Sequence, residues 1–201
     1  MATCEKKRCD LIVIPAPYLD DYVKPGQESV GANLDMLLCR AATALLVVRE
    51  PQADPQRCLA NLLLPIAPYE TTTVQAAGWS LKLMRQNGLL RVLAIAEPAR
   101  APLDQEVQER NIIEMDTEKF AGLYRPELAG LVAALQRRAA ETGLGCRLIV
   151  RGGEPVQAIA DAANSADALL VLASSPDPPS VAQMRTAALV RVSRNPLLVV
   201  R

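Results

Sequence analysis

Two short segments hold the residues whose chemistry could bind something. Gly152-Gly153 follows a strand expected over 146–150, and Ser174-Ser175 follows another over 167–172. Glycines in such a place let backbone N–H groups close on a ligand, and a neighbouring hydroxyl adds a donor, which is phosphate-binding chemistry. A tight strand-to-helix turn accounts for the glycine pair more simply, because Glu154-Pro155 follows and proline suits the first helical position. The serine pair reads equally well as plain loop. Tyr69, Glu70 and Thr71 to Thr73 offer further polar groups, and the threonines can equally cap a helix. Arg49, Arg151, Arg191, Arg194 and Arg201 flank element ends and read as surface ion-pair partners of small energetic weight.

Composition removes several function classes. The 201 residues include no histidine, so the usual general base near neutral pH and the commonest metal ligand are both absent. The five cysteines form no C-x-x-C pair and are odd in number, which fits reduced, incidental thiols in a cytoplasmic protein. No Walker-type lysine loop and no paired carboxylate site is present, so no ATPase, kinase or other enzyme is expected. Lys plus Arg equals Asp plus Glu at 22 each, leaving no net field to recruit nucleic acid or an anionic membrane. One Trp and one Phe supply no stacking platform for bases. Residues 1–10 are charged and precede no long apolar run, so neither a secretory signal nor membrane insertion is expected.

The elements that must position these residues are short apolar strands alternating with helices. Strands are expected over 11–14, 45–48, 61–64, 89–95, 146–150, 167–172 and 197–200, each too short for a helix and bounded by turn residues. Pro65 and Pro68 close the third, and Asn87-Gly88 and Thr142-Gly143 stop the helices before them. Leu34, Leu37, Leu38 and Ala41 make one face of a helix over 30–42, and Leu128, Leu131, Leu135 and Ala139 one face over 127–141. Further helices are expected over 71–84, 156–163 and 182–192. The charged stretch 104–118 reads as a solvated face or flap. Strict alternation predicts an open five-stranded parallel sheet with helices on both faces, whose ligand crevice lies outside the carboxyl ends of the strands.

The chain also repeats itself. Cys9-Asp10-Leu11-Ile12-Val13-Ile14 matches Ala166-Asp167-Ala168-Leu169-Leu170-Val171, and Ala44-Leu45-Leu46-Val47-Val48-Arg49 matches Pro196-Leu197-Leu198-Val199-Val200-Arg201. The predicted organisation is a strand-helix-strand half unit over 1–51, a linker over 52–60 and a complete unit over 61–201.

Four pieces in this order resemble the universal stress proteins: Asn61-Leu62-Leu63-Leu64-Pro65, the Gly153-Glu154-Pro155 turn, Ala166-Asp167-Ala168-Leu169-Leu170-Val171-Leu172, and Asn195-Pro196-Leu197-Leu198-Val199-Val200-Arg201. The resemblance implies a Rossmann-like α/β domain that pairs through its last strand and, in one branch, binds ATP or a related adenine nucleotide. That branch carries an Asp after the first strand and Gly-x2-Gly-x9-Gly-Ser/Thr after the fourth. Here Ala67 stands in place of the Asp, Ala173 and Pro176 in place of the first two glycines, and Gln183-Met184 in place of the last pair. Three prolines, Pro176, Pro178 and Pro179, remove further donors. The expectation is a non-catalytic protein of stress response or regulation, without cofactor, acting as a homodimer that binds a regulatory partner. The alternative is an ATP, AMP or other small-ligand sensor with an atypical pocket at Ala67, Gly152, Gly153, Ala173, Ser174 and Ser175. Strand pairing is expected between Leu45, Leu46, Val47, Val48 and Leu197, Leu198, Val199, Val200, within one chain or across two.

Overall fold

The computed structural model describes residues 9–15, 32–48, 54–66, 72–96, 112–123, 126–174 and 181–201. Eight strands among them form one sheet: β1 (Leu11–Pro15), β2 (Ala44–Val48), β3 (Asn61–Ile66), β4 (Leu89–Ala96), β5 (Ile113–Glu114), β6 (Gly145–Gly152), β7 (Leu169–Ala173) and β8 (Leu197–Val200). Their spatial order is β1-β2-β8-β7-β3-β4-β6-β5. The inner five, β8-β7-β3-β4-β6, run parallel, as the alternating pattern predicts. One face carries α3 (Thr72–Leu83), α4 (Thr117–Leu123) and α5 (Pro126–Glu141). The other carries α1 (Ala32–Arg40), α6 (Pro155–Ala166) and α7 (Val181–Val192). Strands buried on both faces read as unbroken Leu/Val runs for this reason. Leu62, Leu64, Val92 and Val150 point to the first face, and Leu63, Leu93, Ile149 and Leu170 to the second.

The half unit joins the same sheet through its second strand. β1 and β2 are parallel to one another, and β2 lies antiparallel to β8 within the chain. The register sets Leu45 opposite Val199, Leu46 opposite Leu198 and Val47 opposite Leu197. Since Leu45-Leu46-Val47 is the repeat equivalent of Leu197-Leu198-Val199, the junction is two-fold symmetric in sequence about the Leu46–Leu198 pair. Val47, Leu197 and Val199 are wholly buried, and α1 adds Leu34 and Leu38 to the same cluster.

Three departures from the sequence pattern have physical causes. β3 does not stop at Pro65 but continues to Ile66 along β4, whereas its pairing with β7 reaches only Leu62 and Leu63. Pro65 therefore lies beyond the stretch where a second neighbour is paired, and its missing N–H leaves no gap in that ladder. The stretch read as a solvated flap contains β5 and leads into α4, because Met115 and Phe120 are buried in the core and dominate the charges around them. The linker carries a helical turn, α2 (Pro55–Cys58), fastened by Arg57 to Asp167 at 2.6 Å.

Two expectations follow. Val47→Asp, which places a charge between buried strands, lowers unfolding stability by about 4 kcal/mol or more. Val13→Asp, at a position 59% exposed, costs within about 0.5 kcal/mol; urea denaturation of both variants measures the difference. Burial pushes the Cys146 thiol up from 9.0 to about 11. Stability from its neutral form is complete below pH 9 and disappears as pH rises through about 11. Replacing Cys146 by Ala should flatten that alkaline decline, and a thiol reagent near pH 8 should label exposed Cys39 well before Cys146.

Candidate functional site

The glycine pair sits where β6 gives way to α6. Gly152 ends the strand, and Gly153 adopts φ +117°, a conformation that favours glycine. Glu154 then caps α6, its carboxylate accepting from Val156 N at 3.1 Å and Gln157 N at 2.8 Å, with Pro155 in the first turn. The turn explanation of the glycines is the one the geometry carries.

Beside the turn lies a shallow cleft of about 70 Å³ lined by Arg151, Gly152, Gly153, Glu154, Gln157, Ala158 and Asp161. Most of its polar groups are matched to each other, Arg151 Nε being left without a partner among the described residues. Arg151 donates from Nη2 to Asp161 Oδ2 at 3.0 Å and from Nη1 to the Ala158 carbonyl at 3.4 Å, and Gln157 Nε2 donates to Asp161 Oδ1 at 2.7 Å. The Arg151 side chain is 11% exposed, so it is a clasp between β6 and α6 rather than a surface ion-pair partner. Both carboxylates are committed, and the cleft holds no free general base and no nucleophile. Among the described residues no cluster of His, Cys, Asp and Glu could hold a metal ion.

The serine pair lies elsewhere on the carboxyl edge. Ala173 ends β7 opposite Val200, and the Ser174 N–H donates to the Val200 carbonyl at 2.8 Å. Ser174 is 1% exposed. β3 and β4 stand between β7 and β6, so Ala173 and Ser174 belong to one place and Gly152 and Gly153 to another. Ala67, Ser175, Tyr69, Glu70, Thr71 and the three prolines after Ser175 lie outside the described residues, as does Arg49. Leu45, Leu46 and Val47 meet Val199, Leu198 and Leu197 in the β2–β8 ladder.

Two features were not read from the sequence. Gln157 and Asp161 share a helix face at a spacing of four, a signal that could have drawn Arg151 to them. Thr73, in the first turn of α3, is 2% exposed, and its hydroxyl has no hydrogen-bond partner among the described residues. No local pattern announces that burial.

The clasp is testable by thermal unfolding. Asp161→Ala leaves a mostly buried guanidinium without its carboxylate and should cost about 2 kcal/mol, and Glu154→Ala, which removes only the cap, about 1 kcal/mol. A smaller loss at Asp161 than at Glu154 would contradict this ranking.

No family model matches the sequence, and no curated protein matches it. Solved structures do share its fold. One is a universal stress protein from Archaeoglobus fulgidus, 12% identical with a TM-score of 0.58, the alignment covering 98% of this chain and 63% of that one. Another, provisionally assigned as a universal stress protein, comes from Pseudomonas aeruginosa; it is 14% identical with a TM-score of 0.57, covering 98% of this chain and 65% of that one. The chain thus spans less than two thirds of the length of either neighbour.

Proposed function

From the universal stress protein fold that this chain adopts, we propose that it is a member of that family serving stress response or regulation by dimerisation and partner binding, without catalysis and without the usual ATP motif. The observation that carries the reading is the end of β7. Where a phosphate loop needs glycine N–H groups free to turn toward a ligand, this chain has Ala173 paired to Val200 and a buried Ser174 whose N–H is already engaged. Dimerisation through β8 is closed off because β2 occupies that edge. Exposed apolar side chains, with Met36 43%, Val74 65% and Val192 42% exposed, are what a second copy or a regulatory protein would cover.

A second reading, a small-ligand sensor with an atypical pocket, is favoured by one observation, the buried Thr73 hydroxyl without a partner at the carboxyl edge. In support of location, no helix among the described residues is long and apolar enough to cross a membrane; residence in the cytoplasm is part of the proposal.

Sedimentation equilibrium at micromolar concentration should show a dimer, and a compact monomer would count against the first reading. Mass spectrometry of the supernatant after denaturing freshly purified protein should show no adenine nucleotide. Near-stoichiometric ATP, ADP or AMP would select the second reading instead.

A further inference from the structure

Few buried polar atoms lack a hydrogen-bond partner among the described residues: Thr73 Oγ1, Arg151 Nε, Arg191 Nε, and both terminal nitrogens of Arg201. Arg201 differs from the other two arginines in kind. Its two Nη atoms carry four N–H bonds, and none finds an acceptor among the described residues. No carboxylate forms an ion pair with it among the described residues.

The position of Arg201 is well defined by its neighbours. It follows β8, whose last residue is held to the end of β7 by the Ser174 N–H to Val200 carbonyl bond. Because β2 runs antiparallel to β8, residue 201 lies where β2 begins and where α1 has just ended, and the Cys39 thiol of that last helical turn is close enough to influence the guanidinium. Arg201 therefore stands at the junction of half unit and complete unit, on the carboxyl edge of the sheet. Burial disfavours its charge, yet a guanidinium does not escape by losing its proton in water-like conditions. The residue as a whole is partly exposed, but its Nη atoms are buried, and a buried, unmatched charge costs stability until an anion joins it.

We infer that Arg201 anchors an anion site at this junction and takes the phosphate group of a small ligand, its planar fork offering two parallel N–H donors to two phosphate oxygens. The Arg151 cleft is not such a site, because Asp161 already supplies the anion there. The inference goes beyond both readings above: it requires neither a partner chain nor a glycine loop.

The test uses the full chain, at fixed protein concentration, with inorganic phosphate and with AMP as probes and chloride at equal ionic strength as control. Thermal unfolding and titration calorimetry are run on the wild type, Arg201→Met and Arg201→Lys. Phosphate or AMP should raise the unfolding temperature of the wild type, and chloride should not. Arg201→Met should weaken that binding by about ten- to a hundredfold, the loss of a charge-assisted pair, while unfolding no lower than the wild type in phosphate-free buffer. Arg201→Lys, which keeps the charge but not the fork, should retain part of the response. Tighter binding of AMP than of phosphate, lost in Arg201→Met, identifies a nucleotide as the source; equal binding identifies free phosphate. A wild type that responds to neither probe, or a response that survives in Arg201→Met, overturns the inference. So does an Arg201→Met protein that is markedly less stable without phosphate, which would make the guanidinium a structural group. Sedimentation of the same samples keeps these outcomes separate from the fate of the dimer reading.

Discussion

The antiparallel contact between β2 and β8 is the interaction on which the rest of this molecule depends. Two parallel strands and one helix bury too little to stand alone. The complete unit, for its part, would end in an open β8 edge of four apolar residues, a template for pairing with other chains. Each solves the other's problem. The register about Leu46 and Leu198 has the form of an isologous contact, the kind made by two identical subunits, drawn here inside one chain. Tethering replaces association between molecules, so the junction forms at an effective concentration set by the linker rather than by the cell.

That arrangement changes what the carboxyl edge of the sheet can do. In an open α/β sheet this edge is where ligands collect, because strand ends and helix starts converge there. Here α6 starts with its amides satisfied by Glu154, and β7 ends with Ser174 engaged, so two of the positions a phosphate would use are occupied by the protein's own groups. Among the described residues, what remains unmatched beside the Thr73 hydroxyl, Arg151 Nε and Arg191 Nε is the terminal fork of Arg201, at the junction with the half unit. The seam brings to the carboxyl edge a guanidinium whose surroundings, α1 and the start of β2, a single unit would not provide.

Much of the architecture was legible in the sequence because buried parallel strands leave a strong signature. Leu62-Leu63-Leu64, Leu169-Leu170-Val171-Leu172 and Leu197-Leu198-Val199-Val200 are apolar at every position, as burial on both faces demands. Where the core depends on one or two residues amid charge, the pattern fails: Met115 and Phe120 hold β5 and α4 in place, and no periodicity marks them. Pro65 misled because its effect depends on which neighbour is paired beside it, a tertiary fact. Site chemistry was less legible than fold. Sequence could say that glycines were missing after β7, but not that Arg151 would be clasped and Arg201 left unmatched among the described residues, since both arginines follow short apolar runs, Leu148-Ile149-Val150 and Leu197-Leu198-Val199-Val200, in the same way.

The seam also has a consequence in time. Residues 11–48 are made early and the strand that completes them, β8, is made more than a hundred residues later. At ordinary synthesis rates of about 5–20 residues per second, the β1-α1-β2 segment waits on the order of ten seconds with its strand edge and apolar helix face unpaired. A contact between such distant parts of a chain is also slow to form by diffusion, because a large loop must close before any of its gain is realised. β8 therefore acts as a latch: until it is made, β2 has only β1 to pair with, and afterwards the two units close together.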